Sequence, residues 1–385
     1  MPHVAFMAVP AHGHVNPSLA LVAEMVDRGH RVTFAINDEF AAQVRAAGAE
    51  VVAYKSTFST AVEKLANEPD DLASAQRMFH DEMVAVTPQV KAAYAGDRPD
   101  VVVYDIGAWH APILAAKWDI PAIQLSPTFV AYDGMAEDFG IDLDAEPTPE
   151  MAALIAEFDE FAAAQGVDLT RDEVIYLPKR CVVTIARTWQ LKGDKVADHY
   201  TFVGPSVDTR VGEWTAPDER PVLLVSLGSA YNDRLDFYRE CVRAFTGLDW
   251  HVLLSVGKSI DPAELGEVPA NFEVVQWVPQ VSVLAKASAF VTHAGMGSTM
   301  EGLYFGVPMV AVPQAVDQFM NGARLAELGL GAHVPMEEAT ADRLREAVLH
   351  VTSDPDIAAR VKAVRDEVRA AGGAAKAAEV IESVL

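Results

Sequence analysis

The spacing of apolar and polar residues divides the chain into alternating strands and helices. Residues 4–9 form a short apolar run and residues 10–16 are rich in turn formers. From 17 to 28 the apolar positions Leu19, Val22, Ala23 and Val26 recur on one helical face. Gly29 stands where a helix stops, and residues 31–36 resume as a strand, completing a βαβ unit. The same order returns in the second half: a strand over 221–227, a loop over 228–233, a helix over 236–245 closed by Gly247, and a strand over 251–256. Two such starts predict an α/β protein of two doubly wound domains. Continuous apolar runs at 100–104, 289–292 and 309–312 read as buried parallel strands, and from 340 to 385 the pattern is helical almost throughout. Gly, Pro, Ser, Asp and Thr cluster over 203–217. The expected boundaries are therefore a first domain over 1–205, a linker over 206–218, a second domain over 219–365 and a last helical segment over 366–385.

The length of 385 residues suits two domains with separate cores, and 51% hydrophobic with 22% charged residues excludes disorder. Thirty Lys and Arg oppose 55 Asp and Glu, a net charge of −25, which argues against nucleic acid or an anionic membrane as partner. Thirteen of the acidic residues, with Arg171 as the single basic one, lie in 133–173. That segment reads either as a solvated helical insertion or as the rim of a cleft that attracts cationic acceptors. Cys181 and Cys241 are too few for a disulfide framework or a cysteine-built metal site, which points to a reducing compartment. The N-terminus lacks the basic region and cleavage pattern of a signal peptide, and no segment is suited to span a bilayer. A cytoplasmic protein without membrane insertion is expected.

Open α/β sheets bind ligands beyond the carboxyl ends of their strands, so the loops after strands carry the chemistry. The first, Pro10-Ala-His-Gly-His-Val-Asn-Pro17, places His14 where a group of near-neutral pKa suits general-base work, while His12 reads as structural or as a pocket wall. The second is Asp105, closing the strand over 101–105, whose carboxylate would either accept the Nδ1–H of a histidine or cap a helix over 106–117. The third runs from His293 through Gly295, Gly297 and Ser298 to Glu301. Its two glycines let a phosphate approach the backbone, Ser298 and the first helical N–H groups bind oxygens, and His293 adds a donor.

Trp277-Val-Pro-Gln280, His293-x-Gly295-x-x-Ser298-x-x-Glu301 and Pro313-Gln314-x-x-Asp317-Gln318 together resemble the nucleotide-sugar signature of inverting UDP-glycosyltransferases of GT-B family 1. Gly13-His14-Val-Asn-Pro17 looks like the acceptor-side motif of that family. Ser226-Leu-Gly-Ser229 and residues 312–318 look most like the bacterial macrolide glycosyltransferases of the oleandomycin type, which glucosylate and inactivate polyketide antibiotics. Met296 and Gly297 stand where plant relatives carry Trp-Asn. The resemblance spans nearly the whole chain. It implies the GT-B fold, two Rossmann-like domains facing across a cleft, with the last helix returning to the first domain.

By that resemblance UDP-glucose is the donor. Trp277 would stack on uracil and the Val278 backbone would read the base edge. Gln280 and Glu301 would bind the ribose, while Ser229, His293, Gly297 and Ser298 would hold the diphosphate. Asp317 and Gln318 would hold the glucose hydroxyls, with His14 the base and Asp105 its partner. No tightly bound cofactor is implied. The helix start at Gly297 would neutralise the diphosphate, so Mg²⁺ is not required. The D-x-D pattern Asp142-Leu-Asp144 lies inside the acidic segment rather than after a core strand. Phe58, Met78, Phe79, Ile106, Trp109, Phe129, Tyr132 and Met135 suggest a wide apolar pocket for a large hydrophobic alcohol. Monomer and homodimer both remain open. So do three other readings: a TDP-deoxysugar transferase of antibiotic biosynthesis, a UDP-sugar 2-epimerase, and a sugar-nucleotide-binding protein without catalysis.

Overall fold

The computed structural model describes residues 1–58, 72–142, 145–207 and 212–385. The chain divides into two compact units, residues 1–206 with 372–385, and residues 207–371.

In the first unit β1 (His3–Met7) leads through α1 (His12–Asp27), β2 (Arg31–Ile36), α2 (Ala41–Ala46), β3 (Glu50–Ala53) and α3 (Leu72–Ala93) to β4 (Val101–Asp105). α4 (His110–Trp118), β5 (Ala122–Ser126), α5 (Met135–Asp138), α6 (Pro149–Gln165), α7 (Arg171–Ile175), β6 (Cys181–Val183) and β7 (Tyr200–Phe202) follow. The strands form a parallel sheet in the order β3-β2-β1-β4-β5-β6-β7. Every residue of β1 and β4 is buried because helices cover both faces. Val4, Phe6, Val101 and Val103 pack toward α1, whereas Ala5, Met7, Val102 and Tyr104 pack against α3 and α4.

The acidic segment settles largely as a solvated helical insertion. α6 buries Leu154, Phe158 and Ala162, the last two in a cluster with Met83, Trp109 and Ile113, and leaves Glu157, Asp159 and Glu160 exposed. Leu143 and Asp144 of the D-x-D pattern lie outside the described residues.

The second unit contains β8 (Val222–Ser226), α8 (Leu235–Phe245), β9 (His251–Ser255), β10 (Phe272–Val275), α9 (Gln280–Leu284), β11 (Ala287–Thr292) and α10 (Met296–Phe305). β12 (Met309–Ala311), α11 (Gln318–Glu327), β13 (Gly331–His333), α12 (Ala341–Ser353) and α13 (Pro355–Ala370) complete it. Its parallel sheet has the order β10-β9-β8-β11-β12-β13. In both sheets the order reverses beside the first strand, between β1 and β4 and between β8 and β11, where a crevice opens at the strand ends.

Helix α14 (Gly373–Glu382) belongs to the first unit. Ala377, Ala378 and Ile381 enter the core beside Leu21, Val22 and Met25 of α1, and Arg28 donates to Glu382 at 2.8 Å and to the Ala375 carbonyl at 3.0 Å.

Four boundaries differ from expectation. α1 begins at His12 rather than Pro17; Pro17 forgoes one hydrogen bond, while Ser18 Oγ donates back to the Val15 carbonyl at 2.7 Å. α4 begins at His110, so Asp105 does not cap it. Residues 366–370 finish α13 in the second unit, and the return to the first starts only near Gly372. Within the expected linker, Trp214 is held by the second unit, its N–H donating to Ser282 Oγ at 2.9 Å. Among the described residues no helix is long and apolar enough to cross a membrane.

Candidate active site

His14 and Asp105 come from the two strands that flank the first switch point. β1 ends at Met7 and α1 starts at His12, which sets His14 in its first turn; Asp105 is the last residue of the neighbouring β4. His14 Nδ1 lies 2.8 Å from Asp105 Oδ2. A carboxylate only accepts, so Nδ1 carries the proton and Nε2 presents a lone pair. The Asp105 side chain is 3% exposed and that of His14 is 26% exposed. A buried anion therefore backs an imidazole that solvent or substrate can reach. The same Oδ2 accepts the Gly107 N–H at 2.9 Å, which holds the carboxylate in place. Gly107 escaped the sequence reading, although an Asp followed two residues later by Gly is a turn signal. Gly13 is exposed, and among the described residues nothing beyond its neighbours and its own helix backbone comes within 4 Å of where a Cβ would stand.

Aromatic rings pack beside this pair. Phe58 and Phe79 have ring centroids 5.2 Å apart, and Phe79 stacks on Trp109 at 5.5 Å. A Cβ on Gly107 would fall 2.8 Å from Phe79 and 3.1 Å from Asp105 Oδ2, so Phe79 borders the carboxylate. Phe58 and Trp109 are buried, which makes them supports behind the surface rather than its lining. Met78, Phe79, Ile106, Phe129, Tyr132 and Met135 are partly exposed. Tyr132 Oη donates to Asp138 at 2.9 Å, and Lys192 lies 5.9 Å from the Tyr132 ring and pairs with Asp138.

The second switch point carries the expected phosphate loop. His293 follows β11, and exposed Ser229 follows the adjacent β8. The loop between β8 and Ser229 presses on the histidine: a Cβ on Gly228, whose φ is +77°, would lie 2.5 Å from the ring, and one on Gly295 would lie 2.4 Å from Nε2. Gly295 thus makes room for the imidazole, a different reason from the phosphate approach expected of it. Gly297 is exposed with open space around it and fits that role. α10 begins at Met296 without a side-chain cap, so its first N–H groups point outward at the positive end of the helix. Burial pushes the His293 imidazole down to about 4, opposed by the Ser226 carbonyl, and it is neutral at pH 7.

Gln280, Ser298 and Glu301 meet. Gln280 Nε2 donates to Ser298 Oγ at 3.0 Å and to Glu301 Oε2 at 2.6 Å, and burial raises the Glu301 carboxyl to about 6 despite that bond. Trp277 is 66% exposed beside buried Val278. Asp317 is partly exposed at the start of α11. Gln318 is buried, its Oε1 accepting from the Gln314 and Ala315 N–H groups at 2.8 and 3.2 Å, so its carbonyl end shapes the loop. Among the described residues no three His, Cys, Asp or Glu side chains are grouped to share a metal ion.

The family described as erythromycin biosynthesis protein CIII-like, C-terminal domain, matches residues 239–384. Oleandomycin glycosyltransferase of Streptomyces antibioticus is 43% identical over 390 residues, covering 100% of this chain and 91% of the relative. NDP-glycosyltransferase YjiC of Bacillus licheniformis is 38% identical, covering 100% of this chain and 98% of the relative. The solved structure of the glycotransferase of kitacinnamycin superposes with a TM-score of 0.89 at 41% identity, covering 100% of both chains. These likenesses give no support to an epimerase, and they confirm the GT-B fold. With a histidine–carboxylate pair at one switch point and a glycine-opened helix start at the other, the chain belongs to the macrolide and natural-product glycosyltransferase family.

Proposed function

We propose that the protein is an inverting glucosyltransferase that moves glucose from UDP-glucose to a hydroxyl of a macrolide or similar hydrophobic natural product. The observation that carries this reading is the 2.8 Å contact between His14 Nδ1 and buried Asp105, which leaves Nε2 as a base. An acceptor hydroxyl is too weak an acid to ionise first, so its proton passes to Nε2 while its oxygen attacks the anomeric carbon. Such assistance contributes on the order of 10²–10⁴ in rate. The bond from that carbon to the diphosphate breaks with its electron pair on UDP, and displacement from the opposite face inverts the centre. Asp105 stabilises the imidazolium.

Charge grows on the leaving diphosphate. The N–H groups at the start of α10, Ser298, Ser229 and neutral His293 are donors suited to it, so no metal is needed. Trp277 stacks on the base, Gln280 and Glu301 bind the ribose, and Asp317 with Gln318 binds the glucose hydroxyls. A donor with a full set of hydroxyls fits that polar pair better than a deoxysugar, which would leave it less fully satisfied. Glucosylation of an antibiotic hydroxyl is an inactivating modification, and resistance is the role this reading favours.

The test is mass spectrometry of purified protein with UDP-glucose and a panel of macrolides and flavonoids, with and without EDTA. A gain of one hexose, insensitive to chelator and absent in His14→Ala, is expected. Transfer only from TDP-deoxysugars would move the protein to biosynthesis, and chelator-sensitive transfer would overturn the metal-free step.

A further inference from the structure

Asn321 sits on α11 with no exposed surface, outside the residues that the sequence motifs mark. Its Nδ2 donates to the Ala294 carbonyl and to Asp317 Oδ2, both at 3.0 Å. Both partners are acceptors, so the amide orientation is fixed and both of its hydrogens are committed. Among the described residues Asn321 Oδ1, which is buried, has no hydrogen-bond partner, so the donors carry the side chain's contacts.

The two groups it joins belong to different loops. Ala294 directly follows His293 on the phosphate side, and Asp317 opens the helix on the sugar side. Each loop is strained at that point: Ala294 has φ +61° and Val316, just before Asp317, has φ +46°, conformations that non-glycine residues rarely adopt. Such strain persists only where surroundings over-determine the backbone, and Asn321 is one group that reaches both turns.

We propose that Asn321 is a positioning residue, which ties the carboxylate of Asp317 to the phosphate loop and so fixes the sugar of the donor relative to its diphosphate. The inference rests on the reading of Asp317 as a ligand for the sugar hydroxyls. Asn321 touches neither substrate nor reacting atoms; it acts through Asp317 and Ala294. UDP, which has no sugar, depends little on it, whereas UDP-glucose depends on it strongly.

The test compares wild type, Asn321→Ala, Asp317→Ala and the double variant for turnover of UDP-glucose and for inhibition by UDP, with circular dichroism to confirm folding. Asn321→Ala is expected to lower kcat/KM for UDP-glucose about 10- to 30-fold while the UDP inhibition constant changes by less than about 3-fold. Added to Asp317→Ala, it should cost little more. Equal losses for UDP and UDP-glucose would reduce Asn321 to a structural role and overturn the proposal, as would full additivity in the double variant. A damaging Asp317→Ala beside a harmless Asn321→Ala removes the proposal alone. A harmless Asp317→Ala removes the sugar-side reading and the proposal with it. If Asn321→Ala does not fold, Asn321→Ser keeps one donor and should give an intermediate loss in the same UDP-glucose to UDP ratio; a wild-type ratio would refute the inference.

Discussion

Replacing Asp105 by Asn isolates the charge behind His14. The amide oxygen can occupy the place of Oδ2 and still accept from both His14 Nδ1 and the Gly107 N–H, at present 2.8 and 2.9 Å away, so the geometry survives and only the negative charge is lost. An imidazolium and a carboxylate roughly 4 Å apart attract by about 4 kcal/mol at an effective dielectric near 20. Because His14 is partly exposed, the value to expect is about 1.5–3 kcal/mol, that of a hydrogen bond to a charged group. At about 1.4 kcal/mol per factor of ten, Asp105→Asn lowers kcat/KM about 10- to 100-fold. His14→Ala loses the base itself and falls further, by on the order of 10²–10⁴. The assay is initial-rate UDP release with acceptor at saturation, alongside thermal melting to show that the fold is intact. In a His14→Ala background the Asp105 change should cost almost nothing, since its charge acts through the ring. A further drop of tenfold or more there would refute the relay and assign Asp105 to the substrate or to folding.

The glycines around His293 should separate packing from ligand binding. Gly295→Ala and Gly228→Ala each force a Cβ within 2.5 Å of the ring, and urea titration should show a loss of about 1–3 kcal/mol, whereas Gly297→Ala should stay within about 0.5 kcal/mol yet bind UDP more weakly. Glu301 and His293 should pull stability in opposite directions with pH. The Glu301 carboxyl is raised to about 6, so the folded state holds its proton longer and the group's contribution falls as pH rises through about 4.5 to 6. His293 is lowered to about 4, so its contribution is complete above about 6.5 and disappears as pH falls toward 4. Melting curves from pH 4 to 7 should therefore show Glu301→Gln gaining relative stability at the upper end and His293→Asn gaining it at the lower end; unchanged slopes would remove both assignments. If the acidic insertion attracts cations, amine-bearing acceptors should lose affinity with added salt while neutral ones of equal size do not.

The legible parts were those set by local pattern. The buried runs of β1, β4, β8 and β11 read as parallel strands because both faces are covered, and His14, Asp105 and His293 stand at or just beyond the carboxyl ends of β1, β4 and β11. The start of α1 was misplaced because Pro17 looks like a first helical residue, and nothing local tells that the helix tolerates it one turn further in. The N-cap alternative for Asp105 failed because α4 waits until His110. Other features depend on contacts distant in sequence. Asn321 meets Ala294 across 27 positions, and the left-handed turns at Ala294 and Val316 carry no glycine to announce them. Gly295 stands out in the sequence, but what requires it, the ring of His293, exists only in three dimensions.

Helix α14 has a consequence for synthesis. The core that seats α1, and with it His14, is finished by Ala377, Ala378 and Ile381, which are translated after the whole of the second unit. At roughly 5–20 residues per second, the nascent first unit waits on the order of 10–35 s after Ser206 is made before its final wall exists. During that time α1 has the sheet on one side but lacks the cover that Ala377, Ala378 and Ile381 provide. The second unit, continuous from 207 to 371, can complete itself first. The second unit can therefore be complete before the first although it is translated later, and a chain cut short near 371 would carry the His14–Asp105 pair on a unit that lacks one wall of its core.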